Sequence, residues 1–207
     1  MSLVDYDDPA VWASLYHYWT PGGFAGYERG CLANPSVVAM HDTEMAYVST
    51  AIGLNVASSV ILVGGGFGWR AEALQRLLPG IVVYIVDTSQ YILDNAGTDA
   101  VLTVNGNDIS RPGDRNRILR NISRAATHVL TEDVLASLSD ADCTSFDGVC
   151  RAFNVPLCHL VATLQPGGSQ DVRLNWKSGE DWRVLLPHQP GGGDPQWIIS
   201  RPELATF

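Results

Sequence analysis

Val60-Ile-Leu-Val-Gly-Gly-Gly-Phe-Gly68, followed by Ile81-Val-Val-Tyr-Ile-Val-Asp87, is the stretch that decides the fold. The first run is a short strand rich in β-branched residues and closed by a glycine turn. The second is another such strand, closed by an acid. A helix over 69–78 fits between them, so the segment reads as a βαβ unit. Glycine lets the backbone turn tightly and lets a ligand approach without meeting a Cβ. A carboxylate at the end of the second strand can bind both hydroxyls of a ribose. The unit therefore suits a nucleoside-bearing cofactor.

The glycine spacing separates two kinds of cofactor. A dinucleotide fingerprint places glycine or alanine three positions after its second glycine. Counted from Gly64 and Gly66, that position holds Trp69, a bulky ring where helix and strand should approach closely. Glycine at every second place (Gly64, Gly66, Gly68) resembles instead motif I of the class I S-adenosylmethionine (SAM) methyltransferases. Asp87-Thr-Ser-Gln-Tyr-Ile92 looks like the D-x-S-x-x-hydrophobic run of that family. Thr127 to Asp140 resembles its fourth strand and following turn, and Leu164-Gln-Pro-Gly-Gly168 its L-x-P-G-G before the fifth strand. The resemblance covers roughly residues 58 to 176.

The resemblance implies SAM as cofactor and a set of site residues. Gly64, Gly66 and Gly68 would face its methionine part, and Asp87 would accept from its ribose. Thr88 and Ile92 would sit around the adenine, with Asn107 and Asp108 near its amino group. Thr131 ends the fourth strand and is counted with the cofactor contacts. Glu132 and Asp133 follow it where the family places substrate-facing groups, and either could act as general base as a methyl group arrives. Structural readings stand beside these. Asp87, Glu132 and Asp133 each precede a helix and could cap it, Asn105-Gly-Asn-Asp108 is a turn sequence in its own right, and Ile92 could simply pack. The chain also departs from the family at Leu62, where an acid is usual. The contact that acid makes to the amino end of SAM would pass to Glu44 or Asp42, or be lost.

Outward from this unit, Asp8-Pro9 and Asn34-Pro35 both read as an N-cap with proline at the first helical position. The first predicts a helix to about Trp19. The second predicts one on which Val38, Met45, Val48 and Ile52 share a face and Gly53 is the stop. Between them, Tyr16-His-Tyr-Trp19 and the glycines up to Gly26 read either as an aromatic capping helix or as a lid. Strands are predicted at 60–63, 81–86, 100–104, 127–131, 170–176 and near 196–200. Helices are predicted at 69–78, about 89–96, 114–126, 145–164 in two pieces broken by Pro156, and 178–186. Such alternation implies an α/β fold of Rossmann-like type, a mostly parallel sheet of six or seven strands with helices on both faces. The chain is read as one domain, residues 1–57 forming an N-terminal helical cap and 58–207 the α/β core.

The chain is 207 residues long, 46% hydrophobic, with a net charge of −9. This suits a folded chain and argues against non-specific binding to nucleic acid. Arg111, Arg115, Arg117, Arg120 and Arg124 form a basic run that reads as a solvated helix face. Cys31, Cys143, Cys150 and Cys158 have no metal spacing and read as buried thiols, so no metal is expected. No signal peptide or membrane-length apolar run is visible, and a cytoplasmic protein is expected. The favoured function is methyl transfer from SAM to oxygen, nitrogen or carbon of a small or modest-sized acceptor. The alternatives are a non-catalytic SAM-binding protein of the same fold and an NAD- or FAD-binding oxidoreductase, the latter echoed by Val63-Gly-Gly-Gly-Phe-Gly68.

Overall fold

The computed structural model describes residues 35–66, 68–87, 93, 102–104, 112–122, 126–132, 134–161, 185–186 and 197–200. The elements run in the order α1 (Pro35–Ala51), β1 (Ser59–Val63), α2 (Trp69–Leu77), β2 (Val82–Val86), β3 (Leu102–Val104), α3 (Pro112–Ile122), β4 (His128–Glu132), a 3₁₀ turn (Val134–Ser137), α4 (Asp140–Ala152), β5 (Leu157–Val161) and β6 (Trp197–Ser200). The sheet order is β3-β2-β1-β4-β5-β6. Every pairing in it is parallel. The order reverses between β1 and β4, and ligands bind such sheets at that reversal.

β1 shows why the sheet needs two covering layers. All five of its residues are buried. Val60 and Leu62 join Val83, Ile85, Leu130 and Cys158 on one face, under Met45, Val48 and Ile52 of α1 and Ala71 and Leu74 of α2. Ile61 and Val63 join Val129 and Leu157 on the other, under Ile118 of α3 and Cys143, Phe146 and Cys150 of α4. A strand buried on both faces reads as a continuous apolar run, as Val60–Val63 does. Each fully buried aliphatic side chain contributes about 1.5–3 kcal/mol.

The helix ends follow from local chemistry. Gly53 takes φ +71° after α1. Leu54 N–H then donates to Ser49 O at 2.9 Å and Gly53 N–H to Thr50 O at 3.4 Å. These are the two bonds of a Schellman motif, which satisfies carbonyls the helix leaves open. α4 ends the same way on Asn154 at φ +56°, with Val155 N–H to Cys150 O and Asn154 N–H to Arg151 O, both 2.9 Å. At its start, Ser139 Oγ accepts from Asp142 N–H at 3.2 Å and donates to the Asp142 carboxylate at 2.7 Å. Replacing Ser139 with alanine should lower stability by about 1 kcal/mol, the usual worth of an N-cap. Urea denaturation measures this, and an unchanged midpoint would show the cap to be idle.

Three expectations need correction. Residues 157–161 form β5, not the second piece of a helix over 145–164. Pro156 and the left-handed Asn154 end α4, and the apolar run that follows is wide enough for a strand buried on both faces. Leu164–Gly168 therefore follows β5, and both it and the strand expected at 170–176 lie outside the described residues. The helix expected at 114–126 is α3, described over Pro112–Ile122, and Ala126 is no longer helical. The basic run is not one solvated face. Arg117 and Arg120 are exposed, but Arg115 is 1% exposed and its Nη2 meets Asp142 Oδ1 at 2.7 Å, locking α3 to α4. Arg111 and Arg124 lie outside the described residues. The cysteines Cys143, Cys150 and Cys158 are buried, and burial pushes the thiols of Cys150 and Cys158 far up. No helix among the described residues is long and apolar enough to cross a membrane.

Candidate functional site

The parallel register sets the site. Val63 is level with Val86 of β2 and with Thr131 of β4. The next residues, Asp87, Gly64 and Glu132, therefore stand level on three adjacent strands at the carboxyl edge. Two strand spacings separate Asp87 from Glu132, roughly 10 Å between backbones. Gly64 N–H donates to Val86 O at 2.8 Å, which holds the glycine turn beside the end of β2.

Gly64, Gly66 and Gly68 all take positive φ, at +68°, +53° and +86°. Gly64 and Gly66 differ in what surrounds them. A Cβ on Gly64 would lie 3.0 Å from the Cβ of Val134, in the 3₁₀ turn after β4. Among the described residues, a Cβ on Gly66 would meet nothing within 4 Å. The first glycine lets the chain pack on itself, and the second borders open space at the point where a ligand would approach. Gly68 is the N-cap of α2 and makes no side-chain capping bond. The first amides of α2 thus begin at the turn, where a helix favours negative charge. Asp87 is buried to 9% exposure.

Leu62 is 1% exposed, enclosed by apolar residues of α1 and α2. No polar contact comes from that position. The two carboxylates offered as substitutes are both held by arginines of α2. Asp42 Oδ1 accepts from Arg76 Nε at 3.1 Å and Nη2 at 2.7 Å. Glu44 Oε2 accepts from Arg70 Nε at 2.9 Å and stands 3.6 Å from His41 Nδ1. His41 in turn lies against Trp69, with ring centroids 6.0 Å apart, and Trp69 is the first residue of α2.

Thr131 is fully buried, and its Oγ1 lies 2.7 Å from Nδ1 of His159. The pair spans the β4–β5 register. Burial, slightly offset by a hydrogen bond to the Thr131 backbone, pushes the His159 imidazole down to about 3. It is therefore neutral at physiological pH. Neither His41 nor His159 was singled out from sequence. The i, i+3 spacing of His41 and Glu44 on an amphipathic helix was the available signal for the first. The second needed the β4–β5 pairing. Thr88, Ile92, Asn107, Asp108, Asp133 and the side chain of Glu132 lie outside the described residues.

No family model and no curated protein matches the sequence. Solved structures do match. The chain is similar to magnesium protoporphyrin IX methyltransferase from Synechocystis PCC 6803 with bound SAH, at 17% identity and TM-score 0.57, over 88% of this chain and 85% of that one. It is similar to mitomycin 7-O-methyltransferase at 15% identity and TM-score 0.54, over 90% of this chain and 59% of that one. It is similar to a SAM-dependent methyltransferase from Aquifex aeolicus at 16% identity and TM-score 0.51, over 75% and 82%. At these identities the likeness is one of fold: the chain has the Rossmann-like α/β fold of the class I SAM-dependent methyltransferases.

Proposed function

We propose that this fold binds SAM across the carboxyl ends of β1 and β2 and transfers its methyl group to oxygen, nitrogen or carbon of a small or modest-sized acceptor. The observation that carries the reading is the glycine turn itself. Three left-handed glycines follow β1, the middle one faces open space, and a buried carboxylate, Asp87, stands level with them at the end of β2. The residues present fit the group. Gly66 leaves room for its methionine part, Asp87 can accept from both ribose hydroxyls, and the first amides of α2 can face its carboxylate. Thr88, Ile92, Asn107 and Asp108 are assigned to the adenine end, and Thr131, counted with the cofactor contacts, is fully buried at the end of β4 on the other side of β1.

SAM supplies an already activated methyl, so holding the acceptor in line can provide most of the acceleration. Glu132 or Asp133 is assigned the acceptor's proton. The place of Glu132 at the end of β4, two strands from Asp87, leaves the β1 edge between the two for the reacting groups.

The direct test is calorimetric titration with SAM and S-adenosylhomocysteine, with NADH as control. Micromolar binding of the first two without NADH is the expected result. Asp87→Ala should weaken SAM binding about 10- to 100-fold with the fold intact, because hydrogen bonds to a charged group contribute ~1.5–3 kcal/mol. Unchanged affinity would remove Asp87 from the site. One observation favours a second reading: an all-parallel sheet in this strand order is also that of dinucleotide-binding domains. Trp69, where such domains need a small residue, opposes it, and a saturable NADH signal would reinstate it. Binding of SAM without turnover on any acceptor would leave a non-catalytic SAM-binding protein.

A further inference from the structure

α1 carries no charge on its outer face. Its acids point the other way: Asp42 and Glu44 are held by Arg76 and Arg70 of α2, and His41 lies against Trp69. Every exposed side chain described on the helix is uncharged. Ala39, Thr43, Ala46 and Thr50 form one exposed stripe at i, i+4, i+7 and i+11, flanked by Met40 at 57% exposure. A surface helix ordinarily keeps one apolar face for the core and turns charged residues to water, and a helix apolar all round is a covered one. α1 already commits Met45, Val48 and Ile52 to the core beneath it, yet its opposite face is small and apolar as well. The two hydroxyls on the stripe are closed on their own helix. Thr43 Oγ1 donates to Ala39 O at 2.8 Å, and Thr50 Oγ1 to Ala46 O at 2.9 Å. The face can therefore be covered without leaving a hydroxyl donor unsatisfied.

We infer that this face is a docking surface for the chain's own residues 9–19, which lie outside the described residues. The inference is independent of the SAM reading. Charge and size pick the occupant. Pro9-Ala-Val-Trp-Ala-Ser-Leu-Tyr-His-Tyr-Trp19 contains no Asp, Glu, Lys or Arg, in a chain of net charge −9. As the helix that Asp8-Pro9 predicts, it sets Trp12, Leu15, Tyr16 and Trp19 on one face. Large rings interdigitate with a stripe of alanine and threonine, whose small side chains let the two helix axes approach. The lengths agree, since Ala39 to Thr50 and Pro9 to Trp19 each span about 15 Å as helix. Residues 20–34 join the two and reach up to about 50 Å when extended. A short tether holds the segment at an effective concentration on the order of millimolar, an advantage that a second copy of the chain lacks.

The test is amide hydrogen exchange by mass spectrometry on the full chain and on Ala46→Arg, at two protein concentrations, with light scattering to give the mass. Arginine is a good helix former, so at a position facing only water the change should be silent. Peptides from residues 9–19 should be protected in the unsubstituted chain. Ala46→Arg should cut that protection about 10- to 100-fold, because it forces an unpaired charge under the rings, while peptides from β1 and α2 keep theirs. Thr43→Arg, one turn away on the same stripe, repeats the test if Ala46→Arg disturbs β1. Exchange of residues 9–19 at the unfolded rate in the unsubstituted chain would overturn the inference. Protection that neither substitution reduces would overturn it as well. Protection that appears only with a dimer at the higher concentration would give the face to a second copy and overturn the assignment to residues 9–19.

Discussion

Acidification from pH 7 toward pH 3 should unfold this protein, with His159 as the largest cause among the described residues. In the folded chain its imidazole is pushed down to about 3 from an ordinary 6.5. Between those values the unfolded chain binds a proton that the native state refuses, so stability falls as pH falls through that window. A shift of that size corresponds to a loss on the order of 5 kcal/mol at the acid end. Domains of this class have only about 5–15 kcal/mol to lose. His128 acts in the same direction, since its partial burial also lowers it. Asp142 adds to the loss only below its ordinary 3.8. There the Ser139 hydroxyl and then Arg115 hold its carboxyl below the usual range, and the stability they lend disappears as it protonates. Urea midpoints taken at pH 7, 5.5 and 4.5 measure the slope. His159→Asn removes the titrating group and keeps a donor and an acceptor for Thr131, so its slope should be much flatter. Identical slopes in both proteins would show that His159 is protonated in the fold or titrates normally.

Valine at Gly64 and alanine at Gly66 should separate folding from binding. At Gly64 a side chain must adopt φ +68° and place its Cβ 3.0 Å from that of Val134. The left-handed backbone costs about 1–2 kcal/mol and overpacking about 1–3, for a combined loss of about 2–5 kcal/mol. Alanine at Gly66 meets no neighbour, so it should cost only the backbone part, about 1–2 kcal/mol. Its methyl nevertheless stands where the ligand's backbone-facing edge would pass. Gly66→Ala should therefore fold yet lose most of its SAM affinity, whereas Gly64→Val should lose denaturation midpoint first. Denaturation and calorimetry on the two variants give the comparison. A Gly66→Ala protein that binds SAM normally would place the ligand away from the turn.

Local signals carried most of what was legible in the chain. Pro35 and Gly53 bracketed α1, because one pre-sets a helical start and the other supplies a left-handed stop. β1 and β2 stood out because each carries a short run of β-branched and other apolar residues, one closed by the glycine turn and the other by Asp87. β5 did not, because Leu157-Cys-His-Leu-Val161 is a short, largely apolar run interrupted by His159, a pattern that a buried helix shares. Arg115 was misjudged for a related reason: a charge run is usually solvated, and only the packing of α3 on α4 shows that one of its members is enclosed. At the site, Gly64, Gly66, Gly68 and Asp87 lie in one local unit and could be read together. His41 meets Trp69 only through the packing of α1 on α2, and the Thr131–His159 pair exists only through the β4–β5 register. Neither relationship leaves a trace at fixed spacing in sequence.

The central place of β1 also governs when the site can exist during synthesis. Ser59 N–H donates to Thr127 Oγ1, a partner 68 residues later in the chain, and β1 pairs with β4 from Val60 and His128 onward. The glycine turn packs on Val134, beyond β4 again. A nascent chain that ends before residue 127 therefore carries the whole glycine motif and Asp87 but lacks one side of β1 and the contact that seats Gly64. Because closing so long a parallel crossover is slow, the cofactor cleft should be among the last features to form. Ligand present during refolding would then act on the final closure of the sheet, leaving the earlier collapse of α1, β1, α2 and β2 unaffected.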